Sequence, residues 1–202
     1  MCRYRMMLVM ACLCCGVAKP AFSQGDIGSS EWSRATTLNA LAGAAFDSGH
    51  AGPLIGGTVG WEVLPGLAIE GSGTWLDFGH RSSAYAGALT VRARLFGRRT
   101  IDPFVQGGVG MYRASFGPGD DTMPNFYQRR MGPGPHGLGQ TTFTDPTLLV
   151  GGGVNVFINR HLAIRPDLLA TFVLRGGHQH VVTSIGVHAV YHFEDHPVTP
   201  AR

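Results

Sequence analysis

The chain has 202 residues, with 16 lysine and arginine residues against 13 aspartate and glutamate residues, and four cysteines. All four cysteines and three of the basic residues precede residue 24: Cys2, Cys12, Cys14, Cys15, Arg3, Arg5 and Lys19. The remaining chain has 13 basic and 13 acidic residues and no cysteine, which excludes a disulfide framework, a cysteine-based metal site and a catalytic cysteine. Its balanced charge gives no sign of a nucleic-acid partner.

The first 23 residues have the pattern of a secretory signal peptide. Two arginines precede an apolar stretch at 6–18, and Ala-Phe-Ser at 21–23 forms a small-x-small cleavage site. The apolar stretch is shorter than the roughly 20 residues that span a bilayer, which favours removal over a membrane anchor. Lipid attachment at Cys12 is an alternative, but it would leave a very short apolar core.

Eight strand candidates then follow without a convincing helix between them, and the three from residue 146 onward alternate in character with period two, which predicts β-strands. They lie at about 36–46, 53–63, 67–78, 83–96, 103–116, 146–158, 161–174 and 179–193. Most exceed ten residues, which suits tilted membrane strands better than soluble strands of about five or six. Glycines fall inside several segments, which is typical of a narrow, strongly curved barrel.

The connections are predicted to alternate in length. The tight set is 64–66, 97–102 and 159–160, and the other set is 47–52, 79–82, 117–145 and 175–178. Membrane barrels have short periplasmic turns and longer outer loops, so the N-terminus is predicted in the periplasm and the 29-residue segment 117–145 outside. That segment is a candidate for binding an extracellular ligand. Its Asp120-Asp121 and Arg129-Arg130 pairs are alternatively only solvated charge.

The seventh segment shows two distinct faces. One face is apolar: Leu162, Ile164, Leu168, Ala170, Phe172 and Leu174. The other carries Arg165, Asp167 and Thr171, which predicts an apolar lipid face and a charged lumen. The same parity predicts a lumen ion-pair network of Glu62, Glu70, Arg92, Arg94, Arg165 and Asp167, because isolated buried charges are costly. A gated pore is the alternative, although eight strands leave an interior that side chains largely fill.

Aromatic residues near strand ends are candidates for interfacial girdles. They are Trp61, Trp75, Phe78, Tyr85, Phe172, Tyr191 and Phe193. The fifth segment has no clear faces, because Phe104, Gln106 and Tyr112 share one parity while Val105, Val109, Met111 and Arg113 share the other.

Two residue groups suggest further chemistry only weakly. His180, His188 and His192 share a parity, but even His188 and His192 lie about 13 Å apart along a strand, so neither a metal site nor a cofactor is predicted. His80 and Ser82, with Asp77 nearby, could form a nucleophile and its base, although such triplets are common by chance.

Three stretches together resemble the OmpA-like eight-stranded outer-membrane barrel domain, also described as an opacity-type surface antigen barrel. They are Pro-Phe-Val-Gln-Gly-Gly-Val-Gly at 103–110, the hairpin from Gly151-Gly152-Gly153-Val154 to Arg165, and Ser184-x-Gly186 followed by Ala189, Tyr191 and Phe193. The resemblance covers about 36–193 and implies an all-β, antiparallel, up-and-down transmembrane barrel closed between its first and last strands.

The predicted division is a cleaved signal peptide (1–23), an N-terminal periplasmic segment (24–35), the barrel (36–193) and a short C-terminal tail (194–202). The family often ends on the residue matching Phe193, and the tail that follows it here is too short for a peptidoglycan-binding domain. Phe193 and Tyr191 also resemble the signal that the barrel assembly machinery reads.

The resemblance implies a monomer in the bacterial outer membrane with a structural or surface-interaction role, in adhesion or envelope integrity. Its implied partners are outer-membrane lipid and lipopolysaccharide, the barrel assembly machinery and periplasmic chaperones. The alternatives are a narrow gated pore, a soluble periplasmic ligand-binding barrel, and a lipid A-modifying hydrolase using His80 and Ser82. Lipid A deacylases carry their His-x-Ser pair and a Glu in late strands, whereas His80 and Ser82 lie mid-chain and no Glu follows in the next strand.

Overall fold

Eight antiparallel strands, each paired with its neighbours in the chain, form a barrel that closes where β8 pairs with β1. In this computed structural model the described residues are 35–47, 50–64, 66–79, 82–96, 100–117, 127, 141–159, 161–175 and 178–194. The strands are β1 (Ala35–Asp47), β2 (His50–Leu64), β3 (Leu67–Gly79), β4 (Ser82–Arg94), β5 (Ile101–Phe116), β6 (Thr141–Phe157), β7 (Leu162–Arg175) and β8 (His178–Glu194). The predicted fold class and closure are confirmed.

The predicted alternation of short and long connections is wrong. At the end of the barrel that carries both chain termini, the connections are 65–66, 95–100 and 158–161. At the opposite end, called the loop end here, three connections have two residues each, and only the segment between β5 and β6 is long. The sequence predicts starts of β2 and β6 that are several residues too late. Period-two hydrophobicity fades where a strand leaves the apolar zone, although its backbone pairing continues. Thr141, Thr142 and Thr144 illustrate this, since they pair with β5 although none of them is apolar.

The long connection is therefore 117–140 rather than 117–145. Of its residues, the structure describes 117 and 127. Its Asp120-Asp121 and Arg129-Arg130 pairs lie outside the described residues, as do the predicted signal peptide (1–23), residues 24–34 and residues 195–202.

The strand register fixes the shape of the barrel. A walk along paired residues once around the wall, starting at Thr36, returns to β1 at Phe46, ten residues further along the strand. The pairs passed are Trp61, Ile69, Val91, Gly107, Val150, Ala170 and Thr183. A stagger of this size with eight strands corresponds to a tilt of about 40° and leaves a narrow interior.

The outward surface is an almost uncharged apolar band. Large exposed side chains on it include Leu38, Val59, Leu89, Val109, Val150, Ile164, Ile185 and Val187. Among the strand side chains that the structure describes, the only outward acidic or basic ones are Asp77 and Arg113, both near the loop end. On β8 the band runs from Val181 to Phe193, about 40 Å along the strand, which at this tilt is about 30 Å along the barrel axis. That height matches the hydrocarbon thickness of a bilayer.

The structure assigns the two faces of β5, which the sequence leaves unassigned. Phe104, Gln106 and Tyr112 are buried in the lumen, whereas Val109 and Met111 are exposed on the outside. Among the described residues, no helix is long and apolar enough to cross a membrane.

Candidate functional site in the barrel lumen

Glu70 of β3 is the centre of a buried charge cluster in the half of the lumen nearer the termini. Arg92 on the adjacent strand β4 places its Nε 3.1 Å from Oε1 of Glu70. Arg165, from β7 on the opposite wall, places Nη1 3.0 Å from Oε1 and 3.2 Å from Oε2. All three side chains are at least 95% buried. A single carboxylate is thus shared by two guanidinium groups across the lumen.

A second ion-pair group lies beside the first, toward the termini. Arg94 Nη2 is 2.7 Å from Oε1 of Glu62, and its Nε is 3.1 Å from Oδ2 of Asp102. The same Glu62 oxygen accepts a hydrogen bond from the backbone N–H of Gly66 in the β2–β3 turn. This group therefore ties β2, β4 and β5 to a turn at the termini end.

Asp167 joins the cluster through a histidine. Nη2 of Arg165 lies 3.1 Å from Nδ1 of His188, and Nε2 of His188 lies 2.9 Å from Oδ2 of Asp167. An arginine can only donate, so Nδ1 must accept and Nε2–H must donate to Asp167. The chain Asp167–His188–Arg165–Glu70 is therefore a continuous hydrogen-bonded path through the lumen.

An aromatic ring completes the charged layer. The guanidinium carbons of Arg92 and Arg165 lie 5.4 Å and 5.5 Å from the ring centre of Phe104, which is itself buried. Both cations therefore contact the ring in addition to Glu70, at a distance where a cation–π attraction contributes about 0.5–2 kcal/mol. Asn155 adds a longer contact, with its Oδ1 3.5 Å from Nη1 of Arg92.

The half of the lumen nearer the loop end is apolar. Its buried cluster comprises Ala45, Leu54, Leu76, Ala84, Tyr112, Ala114, Phe116, Tyr127, Val173 and Val182, with Leu41, Phe78, Ala86 and Phe143 packed against it. Side chains from strands all around the wall meet there. We call this cluster the apolar plug.

Tyr127 is the part of the plug that does not come from a strand. It lies in the long connection, yet it is 1% exposed, and its ring stacks on Phe143 at 4.7 Å and packs against Phe116 at 5.3 Å. Burial raises the pKa of its phenol, and the nearby Asp145 carboxylate raises it further. The connection therefore sends one aromatic side chain back into the mouth of the barrel.

Two ion pairs surround the plug at the loop end. Arg175 Nη1 lies 3.0 Å from Oδ1 of Asp145, and the guanidinium lies over the Phe143 ring at 4.7 Å. His180 Nε2 contacts Oδ1 of Asp47, which links β8 to β1 near the point of closure. These pairs satisfy the polar groups at the rim of the plug.

A cavity of about 70 Å³ separates the charged layer from the plug. Glu70, Arg165 and His188 line one side, and Leu54 and Val182 are among the residues on the other. A volume of this size holds on the order of five water molecules, and the charged wall offers them hydrogen bonds.

The fold is shared with membrane barrels of known structure. No protein-family model and no curated protein matches the chain. Neisserial surface protein A matches it by structure with a TM-score of 0.58 at 12% identity, covering 79% of this chain and 96% of that one. Ail, the attachment invasion locus protein of Yersinia pestis, gives 0.52 at 11% identity, covering 81% and 99%. The outer membrane protein OprG of Pseudomonas aeruginosa gives 0.51 at 11% identity, covering 83% and 100%.

The chain has the fold of an eight-stranded outer-membrane β-barrel. In this barrel fold, the six residues of the predicted lumen network all point into the lumen. They do not all pair directly with one another. Glu70 holds Arg92 and Arg165, Glu62 holds Arg94, and Asp167 reaches Arg165 only through His188.

The predicted girdle residues of the barrel divide between two levels. Trp61 and Phe193 flank Thr36 across β2, β1 and β8 near the termini, and Tyr191 packs against Phe193 at 4.8 Å. The other three belong to the outward face nearer the loop end: Trp75, Tyr85 and Phe172. Phe78 is a correction, because it packs against the apolar plug. The β-bulge between Asp77 and Gly79 shifts the strand register at Phe78, so period two does not predict the face on which its side chain lies.

The suggested nucleophile lies inside the barrel rather than on an accessible face. Ser82 is 2% exposed, and His80 lies outside the described residues. Within the described part of the chain, no group of three or more His, Cys, Asp or Glu side chains is arranged to hold a metal ion.

The sequence-based network omits several contributors to the lumen, among them His188 and Asn155. The sequence places Asp102 in a connection, although it is a fully buried residue of β5 that pairs with Arg94. Phe104 belongs to the strand whose faces were unassigned. Tyr127 gives no signal, since a single aromatic in a polar connection carries no periodicity.

Proposed function

We propose that this protein is a non-conducting barrel of the bacterial outer membrane with a structural or surface-interaction role, in envelope integrity or adhesion. The observation that carries the proposal is the closed lumen. The charged layer around Glu70 fills one half, the apolar plug fills the other, and about 70 Å³ remains between them. A solute path through the barrel would have to cross both layers.

The outward surface supports the membrane location. An apolar band about 30 Å high, interrupted among the described strand side chains only by Asp77 and Arg113 at one end, would be exposed to water in a soluble protein. Soluble monomers rarely expose apolar patches larger than a few hundred Å². In a bilayer the same band is buried in lipid, and the ion pairs in the lumen stay out of it.

Several partners belong to this proposal. The barrel assembly machinery and periplasmic chaperones would deliver the chain, with Tyr191 and Phe193 in the last strand as the recognised aromatics, and lipid and lipopolysaccharide would surround the monomer. An external ligand, if the barrel has one, would meet mainly the 117–140 connection, because the other three connections at that end have two residues each. Two structures of this fold are named for a surface protein and for attachment and invasion, so the fold is compatible with such a role.

A narrow gated pore is the second candidate, and one observation favours it. The cavity between the two layers has a polar wall at Glu70, Arg165 and His188, so it is a place where water could begin a conducting path. Opening that path would require both the charged layer and the apolar plug to rearrange.

Fractionation with a heat-modifiability gel tests the membrane location, and planar-bilayer recording tests the closed lumen. We expect the protein in the detergent-extracted outer-membrane fraction, with faster migration before boiling than after it. We expect no stepwise conductance from the purified protein. Recovery in the osmotic-shock fraction without detergent would refute the membrane location, and stepwise conductance in the wild type would replace the structural role with the pore.

A further inference from the structure

A groove crosses the outward surface near the loop end. Its volume of about 770 Å³ is that of a wide, shallow depression open to the outside and not of an enclosed cavity. Its rim toward the loop end is a row of outward side chains on three adjacent strands, in which Trp75 pairs with Tyr85 and Tyr85 with Arg113. The next row toward the termini contains Gly73 and Gly87, which are also paired.

The floor of the groove is open to the outside because its two glycines, Gly73 and Gly87, face outward and have no side chain. A Cβ built on Gly73 would meet no heavy atom within 4 Å, and one on Gly87 would meet only the Ser72 carbonyl oxygen at 3.9 Å. An inward glycine such as Gly110 differs, since its Cβ would lie 2.4 Å from the Gly87 carbonyl oxygen. The protein's own packing requires glycine at 110 but not at 73 or 87.

Arg113 at the rim is a cation on an otherwise apolar surface. Its side chain is exposed, and within the described part of the chain it takes part in no hydrogen bond or ion pair. Thr144 pairs with it on the next strand and adds a hydroxyl group at the same level. A guanidinium beside the hydrocarbon region is costly unless it reaches an anion at the interface.

We propose that this groove binds an anionic membrane lipid, one whose phosphate headgroup carries a net negative charge. The phosphate pairs with Arg113, and an acyl chain lies over Gly73 and Gly87, below the rings of Trp75 and Tyr85. Guanidinium and phosphate form strong charge-assisted hydrogen bonds, so an anionic headgroup suits the exposed Arg113 side chain. The proposal rests on the membrane location proposed above, since the groove meets lipid only there.

Lipid binding to the full mature barrel in neutral detergent micelles tests the proposal, with native mass spectrometry as the readout. The probes are phosphatidylglycerol, phosphatidylcholine with the same acyl chains, and inorganic phosphate alone. We expect tighter binding of phosphatidylglycerol than of phosphatidylcholine, and no retained inorganic phosphate. Arg113→Gln should weaken phosphatidylglycerol binding about five-fold, the contribution of one basic residue at an anionic surface.

Two glycine variants separate the groove from the general lipid surface. Gly73→Leu should fill the groove and weaken binding of phosphatidylglycerol at least five-fold. Gly107→Leu is the matched control, because Gly107 is an outward glycine of β5 whose built Cβ has its nearest neighbour at an ordinary 3.5 Å. This control should bind lipid like the wild type.

The outcomes that would overturn the proposal are specific. They are equal affinity for the two lipids, an unchanged affinity in Arg113→Gln, or equal losses in Gly73→Leu and Gly107→Leu. Each variant is first checked for heat-modifiable folding in the micelle. A chain that does not insert contradicts the membrane location itself, whereas an inserted barrel without lipid preference contradicts only the groove.

Discussion

Arg165 and Glu70, which are 95 residues apart in the sequence, form a buried ion pair across the lumen, with Nη1 of Arg165 within 3.2 Å of both carboxylate oxygens. Their strands, β7 and β3, lie on opposite walls of the eight-stranded ring. The pair therefore braces the barrel across its diameter, whereas the backbone ladder connects only neighbouring strands. Removing Glu70 leaves two buried cations without their shared carboxylate, whereas removing Arg165 leaves Glu70 paired with Arg92.

Glu70→Ala should lower the free energy of unfolding by about 3–5 kcal/mol, because it leaves the buried Arg92 and Arg165 guanidinium groups without the carboxylate they share. Urea unfolding in lipid vesicles, followed by tryptophan fluorescence, measures the change. Arg175→Ala is the comparison, since the Arg175 side chain is 26% exposed although its partner Asp145 is buried. Its loss should be smaller than that of Glu70→Ala, because one partly exposed cation is removed rather than a carboxylate shared by two buried cations. Equal losses in the two variants would contradict the larger contribution of the Glu70 carboxylate.

Arg92→Ala and Arg165→Ala should both leave planar bilayers without stepwise conductance. Each variant opens the charged layer, but the apolar plug around Tyr112 and Phe116 still fills the other half of the lumen. Conductance should require loss of plug side chains as well, for example in Arg165→Ala combined with Phe116→Ala. A conductance increase in either single arginine variant would favour the gated pore instead.

Tyr127 makes the loop end sensitive to alkaline pH. Burial, reinforced by Asp145, raises the pKa of its phenol above the ordinary value near 10. A raised pKa means that the folded state prefers the protonated phenol, so this contribution to stability is complete below about pH 10 and is lost as the pH rises further. In ultraviolet titration, the Tyr127 phenol should ionise at higher pH in the folded barrel than in the unfolded chain. Tyr127→Phe should remove this late ionisation, and a difference spectrum without it would contradict the burial of the phenol.

The sequence predicts inward charge well where one face of a strand is uniformly apolar. Arg165 and Arg92 follow from period two alone, because every neighbour of opposite parity is apolar. Partner choice does not follow, since it depends on the ring order that sets β7 opposite β3 and on the ten-residue stagger that sets the height at which their residues meet. Phe104 escapes prediction because the outward Arg113 spoils the apolar face of its strand, and Asp102 escapes because the predicted strand begins only at 103. Tyr127 escapes because its burial depends on the closed mouth of the barrel and not on any local pattern.

His188 and His161 should carry their protons on opposite ring nitrogens. Nδ1 of His188 accepts from Arg165, so its proton lies on Nε2 and points to Asp167. Nδ1 of His161 lies 3.1 Å from the carbonyl oxygen of His192, which can only accept, so its proton lies on Nδ1. Nitrogen-15 NMR of the micelle-bound barrel at about pH 8.5, above the usual histidine range, distinguishes the two tautomers. His188→Gln and His161→Gln assign the signals. A Nδ1–H tautomer at His188 would break the path to Glu70, because two donors would then face each other between His188 and Arg165.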